Sequence, residues 1–361
     1  MKHQKRIRSI VILITLGALL LGFTYYKTQS SQQIPKTPPL LTENAENLQA
    51  TEHLLATFFP GKEKTWIQLL KATALLDKLP KDEKDPVQFL IALNDVLQTN
   101  WLRAPGTERY QLSDDALPVK QRDNIRKALE QLGLYREVPP TKQNGQFTTY
   151  DCVFLMGALQ SRVEKRFDYL LSLWEKGVRF KRLYILSGER KLAGKEIEPM
   201  TEYFEKNHQE ANEENMVKHI VTHKKMPFSM QEALNNGTLE MIYVTSSAKP
   251  NAHRSKAFDN FIGWMNLYGA QGEMTRQDKT ILIISNQPFV AYIGAVASRA
   301  MSDEFHEPVE TLGNFDNQYK IGNNYFIEVV GPGDTPRTLT VGLDSLARWV
   351  YISLLRLNQM I

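Results

Sequence analysis

Residues 150–188, YDCVFLMGALQSRVEKRFDYLLSLWEKGVRFKRLYILSG, decide the fold class. Within them DCVFLMG and RLYILSG are short runs that are apolar at consecutive positions, as in strands buried on both faces. Between the runs, SRVEKRFDYLLSLWEKG carries apolar residues at helical spacing and stops at a glycine. Strand, helix and strand in this order predict a parallel pair with a crossover helix.

The alternation continues in both directions. Downstream come IEPMTEYFEKN, EMIYVTS, SKAFDNFIGWMNLYG, TILIISN, PFVAYIGAVASRAM and YFIEVVG, then a last helix expected over about residues 339–357. A polar stretch at 205–239 reads as helix plus loop. Residues 150–361 are therefore expected to form one α/β domain, a mainly parallel Rossmann-like sheet with helices on both faces. Upstream, residues 43–149 read as a small helical region, from ENAENLQATEHLLATFF to VKQRDNIRKALEQLG, with breaks at Pro60-Gly61, PKDEKDP, Ala104-Pro105-Gly106 and Gly133.

The N-terminus predicts a membrane anchor. MKHQKRIR at 1–8 is a basic tail, and SIVILITLGALLLGFTYY at 9–26 is uncharged. At about 1.5 Å per residue the run spans about 27 Å, enough for a thin hydrocarbon core. Lys2, Lys5, Arg6 and Arg8 hold the N-terminus in the cytoplasm and direct the remainder across the membrane. The run ends in bulky GFTYY where a signal-peptidase site would need small residues, so the helix reads as retained. Residues 27–42, with a Pro-Pro pair, are a linker. The expected location is the inner (cytoplasmic) membrane, single-pass, with the main domain extracytoplasmic, in the periplasm.

Composition removes several functions. The net charge is +4, but residues 1–30 hold five basic and no acidic residues, leaving about −1 on the rest. The folded part thus has no basic excess for nucleic acid. One cysteine excludes an internal disulfide framework and cysteine-rich metal sites. The first strand is followed by MGALQSR rather than GxGxxG, and neither a GxxxxGK[ST] loop nor a GxSxG elbow occurs. No cofactor and no metal is called for; His219 and His223, four apart, read as a zinc pair or as a solvated helix face.

In an open parallel sheet a site forms beyond the carboxyl ends of the strands. That rule selects four loops. In the first, Arg162 and Arg166 share a helix face and read either as an anion clamp or as partners of Glu189, Glu198 or another local acid. After the second strand come Ser187, Gly188, Glu189 and Arg190, with Glu189 a candidate general base or else a salt-bridge or turn residue, and Glu196 and Glu198 open the next helix. The third loop offers Lys249, His253 and Arg254 as anion and acid–base groups. The fourth offers Asn286 and Gln287 before Pro288, as ligand-reading amides or as caps.

These segments resemble the DUF218 family, which includes envelope proteins of the SanA and ElyC type and the soluble YdcF type. The resemblance covers roughly residues 150–301 and lies in FLMGALQSRVEKRFDYLLSLWEKG and RLYILSGERKLAGKEIEPM. It implies that Arg162 or Arg166 is the family arginine, Ser187-Gly188 the family Ser-Gly, and Glu198 the helix glutamate. ISNQPFVAYIGAVASRAM lacks the family's His and Arg-Ala pair in the usual place. The resemblance implies an envelope location and a part in envelope integrity or cell-wall precursor metabolism.

Two functions are expected to compete. One is a membrane-anchored envelope protein that binds a small anionic, phosphorylated or lipid-linked ligand. The other is a non-catalytic scaffold that binds an envelope protein partner through the helical region, which would leave apolar side chains exposed there.

Overall fold

The computed structural model describes residues 45–361 other than 82, 105–106, 108, 193, 248–255, 270–278, 306–308, 313–316, 336–337 and 361. The anchor, basic tail and linker expected over 1–42 lie outside the described residues, and no helix among the described residues is long and apolar enough to cross a membrane. Lys249, His253 and Arg254 also lie outside them.

Four helices come first: α1 (Ala45–Phe58), α2 (Glu63–Ala72), α3 (Pro86–Asn100) and α4 (Arg122–Gln131). Local chemistry sets their starts. Proline opens α3, and the Asp85 carboxylate accepts the Val87 amide at 2.8 Å, which satisfies an otherwise orphaned donor. A hairpin of β1 (Lys142–Gln143) and β2 (Gln146–Phe147) turns through Asn144 and Gly145, both at positive φ.

The α/β part follows as β3 (Tyr150–Met156), α5 (Gln160–Glu175), β4 (Phe180–Gly188), α6 (Thr201–Lys206), α7 (Glu213–His223), α8 (Phe228–Asn235), β5 (Glu240–Ser246), α9 (Ala257–Gly269), β6 (Thr280–Ile284), α10 (Val290–Phe305), β7 (Val309–Leu312), β8 (Gln318–Ile321), β9 (Tyr325–Val330) and α11 (Leu339–Met360). The strands form one seven-stranded sheet in the order β5-β4-β3-β6-β9-β8-β7. The first five in that order are parallel, and β8 and β7 extend the sheet antiparallel.

Alternation along each strand divides two cores. Val153 and Leu155 of β3, Leu183 and Ile185 of β4, and Leu282 and Ile284 of β6 face α5 and α7 through Phe167, Leu170, Met216 and Ile220. Cys152, Phe154, Tyr184, Ile281 and Ile283 face α9 and α10 through Phe261, Trp264, Val296 and Ala300. Each such large side chain removed from water contributes about 1.5–3 kcal/mol, so both faces must be covered. The expected parallel α/β fold is therefore present.

Three details differ from the sequence reading. Ser187 and Gly188 lie inside β4, paired in register with Thr245 and Ser246, because the ladder with β5 continues past the apolar run. The helix expected from Glu196 onward is reduced to 3₁₀ turns at Gly194–Glu196 and Glu198–Met200 before the short α6. Finally, residues Gln49–Ile361 form one compact unit. The upstream helices join the α/β part through α11: Phe59 packs on Trp349 at 5.4 Å between ring centroids, and Gln98 Nε2 donates to the Ala347 carbonyl at 2.7 Å.

Candidate functional site

The strand order reverses between β3 and β6. The chain leaves β3 through α5 toward β4 and leaves β6 through α10 toward the other side, so the two turns diverge and open a crevice beyond Met156 and Ile284. A cleft of about 260 Å³ occupies this point. Gly157, Ala158 and Leu159 after β3, Phe289 with Tyr292 and Ile293 at the start of α10, and Lys256 with Ala257 and Asn260 at the start of α9 line it.

Glycine is required at 157. A β-carbon there would collide with the Glu213 carboxylate and lie 2.9 Å from the Leu186 carbonyl oxygen. Just beyond, Leu159 provides no side-chain cap, so the first amides of α5 open at the cleft with the positive end of the helix dipole behind them.

Cations dominate the lining. Arg162, Arg166 and Arg190 come from the α/β part, Arg103 and Arg109 from the upstream region, Arg348 from α11 and Lys256 from α9; Glu213 is the carboxylate among the lining residues. Some of these charges are compensated. Arg109 and Arg348 share Asp344, at 3.2 and 3.0 Å, and Asp344 is fully buried. Burial alone would raise the Asp344 pKa, but Arg109 and Arg348 outweigh it and hold the carboxyl below its ordinary range. Arg190 grips Glu196 with both terminal nitrogens at 2.8 Å and donates Nε to Glu213. Burial opposes its charge, yet the two carboxylates prevail and raise its pKa.

Arg162 and Arg166 are different. Neither has a carboxylate within ion-pair distance among the described residues. Arg166 is buried and bridges the two strand ends: Nε donates to Asn286 Oδ1 at 2.9 Å, and Nη1 donates to the Met156 and Gly157 carbonyls at 2.7 and 3.0 Å. Its guanidinium pKa is pushed down to about 9, first by burial and then by Arg162, with Glu213 opposing. Arg162 is pushed down to about 10, first by burial and then by Arg109, with Asp334 opposing. Both remain protonated at neutral pH, so the cleft holds positive charge that its own carboxylates do not offset. Phe289 receives two of the cations on its ring, Arg109 at 4.3 Å and Arg162 at 4.7 Å from the centroid.

The candidates from sequence separate into groups. Arg162, Arg166 and Asn286 meet at the switch point, and the alternative pairing of the arginines with Glu189 or Glu198 does not occur. Ser187 and Gly188 are buried beside the Gly157 turn without lining the cleft. Glu189 and Glu198 are exposed and off the cleft wall, because the chain turns outward once β4 ends. Gln287 points away from the cleft: its Nε2 donates to the Gly133 carbonyl at 2.9 Å. His219 and His223 stack on each other and on Tyr203, at 4.1 and 3.7 Å between centroids, and no metal-holding cluster is present among the described residues.

Sequence reading placed Arg190 in the second loop without a role and missed Arg103, Arg109, Asn260, Glu213, Phe289, Tyr292, Asp344 and Arg348. One signal was available for two of them: Asp344 and Arg348 are an i,i+4 charge pair within an otherwise apolar helix, LTVGLDSLARWVYISLL.

No protein-family model matches this chain, and no curated protein matches it. Among solved structures it is similar to the crystal structure of the signal recognition particle receptor FtsY from Elizabethkingia anophelis in complex with GDP, at 11% sequence identity, with 84% of this chain and 96% of that chain covered and a TM-score of 0.19. At that score the likeness carries no inference, and the α/β class of this chain rests on its own strand order and register.

Proposed function

We propose that this chain is a membrane-anchored extracytoplasmic envelope protein that binds a small anionic or phosphorylated ligand in the cleft at the sheet switch point. One observation carries the reading: Arg166 is buried and Arg162 half-buried near Arg109, with no carboxylate within ion-pair distance of either among the described residues. Placing like charges in a dry site is costly unless an anion completes it. The uncapped start of α5 adds amides to the same point. Binding is favoured over acid–base chemistry, because Glu213 is committed to Arg190 and no serine, cysteine or histidine lines the cleft among the described residues.

The anchor over residues 9–26 and the resemblance to the DUF218 family support the envelope part of this reading. A tether would keep the cleft close to a phosphorylated or lipid-linked compound of the same bilayer. The scaffold alternative has less support: in the upstream region Val119 is the one large hydrophobic side chain exposed among the described residues, whereas Leu69, Leu70, Phe89, Leu93 and Trp66 are buried.

Thermal unfolding of the full-length chain in detergent, with phosphate, pyrophosphate and sulfate against chloride, tests the proposal. Phosphate or pyrophosphate is expected to raise the melting temperature of the unmutated chain and not of Arg162→Met. Equal melting in all four salts would reject it.

A further inference from the structure

A second pocket, of about 320 Å³, adjoins the cleft across one side chain. Tyr292 lines both. The first turn of α10 divides around it, with Phe289 and Ile293 toward the cleft and Val290 and Ala291 toward the second pocket. Helix α11 divides in the same way: Arg348 reaches the cleft, and Ser345, Leu346 and Trp349 line the second pocket. The Tyr292 hydroxyl is hydrogen-bonded to Arg348, which ties the shared ring to the arginines of the cleft.

The two cavities differ in chemistry. The second has Leu134, Val138, Pro288 and Leu346 on its walls with Gln131 and Asn317 among them. Lys62, Arg136 and Glu137 are its charged residues, and two of them are occupied: Lys62 Nζ donates to the Gln131 carbonyl at 3.0 Å, and Glu137 accepts the Tyr169 hydroxyl at 3.0 Å. An apolar lining with a few amides suits an uncharged organic group, and the volume is at the lower end of the range for small-ligand sites, roughly 300–1,000 Å³.

We infer that the ligand has two parts, an anionic group held among the arginines and an uncharged, hydrogen-bonding ring that passes the edge of Tyr292 into the second pocket. Tyr292 is half-buried and is shared by the linings of both cavities. This rests on the anion-binding reading of the cleft and adds the class of ligand: a phosphate ester of a sugar or a nucleoside rather than a free inorganic anion. The ring contributes affinity by leaving water, and the phosphate fixes its position.

Isothermal titration of the full-length chain in detergent with inorganic phosphate, glucose 1-phosphate and adenosine monophosphate decides it. At least one ester is expected to bind about tenfold tighter than phosphate, and which ester does so identifies the ring. Ala291→Phe, which fills the second pocket, is expected to abolish that advantage and leave phosphate affinity unchanged. Ala291→Leu, a smaller filler, should reduce the advantage part-way and serves if the larger side chain lowers the melting temperature. Phosphate binding with no preference for either ester, or a preference that survives both substitutions, would overturn the two-part ligand while leaving the anion site standing. Failure of all three compounds to bind would overturn both.

Discussion

Two buried polar regions of this molecule are built on opposite terms. At Glu328, on the face of β9, a fully buried carboxylate has its donors in place: Thr141 through its amide at 2.9 Å and its hydroxyl at 2.6 Å, Gln318 through Nε2 at 2.9 Å, and the Tyr150 hydroxyl. In the cleft, the buried Arg166 and the half-buried Arg162 have no carboxylate within ion-pair distance among the described residues. The first region is complete within the chain and acts as a fastener between the sheet and the segment before β3. The second is where the proposed anion would supply the missing counter-charge. Desolvated charge without a counter-charge lowers stability, a cost that a bound anion would offset.

The contrast is broken most directly at Glu328. Glu328→Ala removes the buried acceptor of the Tyr150 hydroxyl together with the Thr141 contacts and is expected to cost about 3 kcal/mol in urea unfolding. A loss below about 1 kcal/mol would mean that the carboxylate is not the fastener described. Next in size is Gly157→Ala, where the new methyl group meets the Leu186 carbonyl and the Glu213 carboxylate. A loss of about 2 kcal/mol is expected together with weaker anion binding, because the wall of the cleft must shift.

Arg162→Met sharpens the comparison through its sign. Removing a half-buried charge that has no counter-charge is expected to leave stability within about 1 kcal/mol of the unmutated chain, or to raise it, while anion-dependent stabilisation disappears. A destabilisation as large as that of Glu328→Ala would show instead that Arg162 is satisfied by the protein itself.

The smallest effect lies at the amino end of the sheet. Asp151 accepts from the Thr280 amide and hydroxyl and from the Lys279 amide, and pairs with Lys181 at 3.1 Å. Burial works to raise its pKa, but the Thr280 and Lys181 contacts outweigh burial and the pKa lies below the ordinary value. A carboxylate with a depressed folded pKa contributes stability that is present above its unfolded value, about 3.9, and is lost as the pH falls through the folded value. Asp151→Asn is therefore expected to flatten the acid arm of the stability–pH curve below about pH 4 and to lower the plateau at neutral pH only modestly. An unchanged acid arm would assign that slope to other carboxylates.

Local reading of the sequence went as far as local forces go. The apolar runs at 150–156 and 180–188 and the helix between them are set by period and length, and they give the parallel unit directly. The rule for carboxyl ends then singled out Arg162, Arg166 and Asn286. It failed at Glu189 and Glu198, because being near a strand end in sequence does not set the direction in which a turn leaves the sheet. Glu213 also escaped it. That residue begins a helix well after β4 and returns to the Gly157 turn only because β4 and α7 pack against the same core.

What the sequence alone determined about this protein is its alternation of strand and helix, its burial of two sheet faces and the presence of two arginines one helical turn apart, since all three follow from spacing. Tertiary structure decided the character of the site. Arg109 and Asp344 are 235 residues apart, and only the packing of the upstream helices against α11 brings Arg103, Arg109 and Arg348 to the sheet's switch point. The physical reason is that charge compensation depends on distance in space, with interaction energy falling as charges separate, whereas the chain records only order.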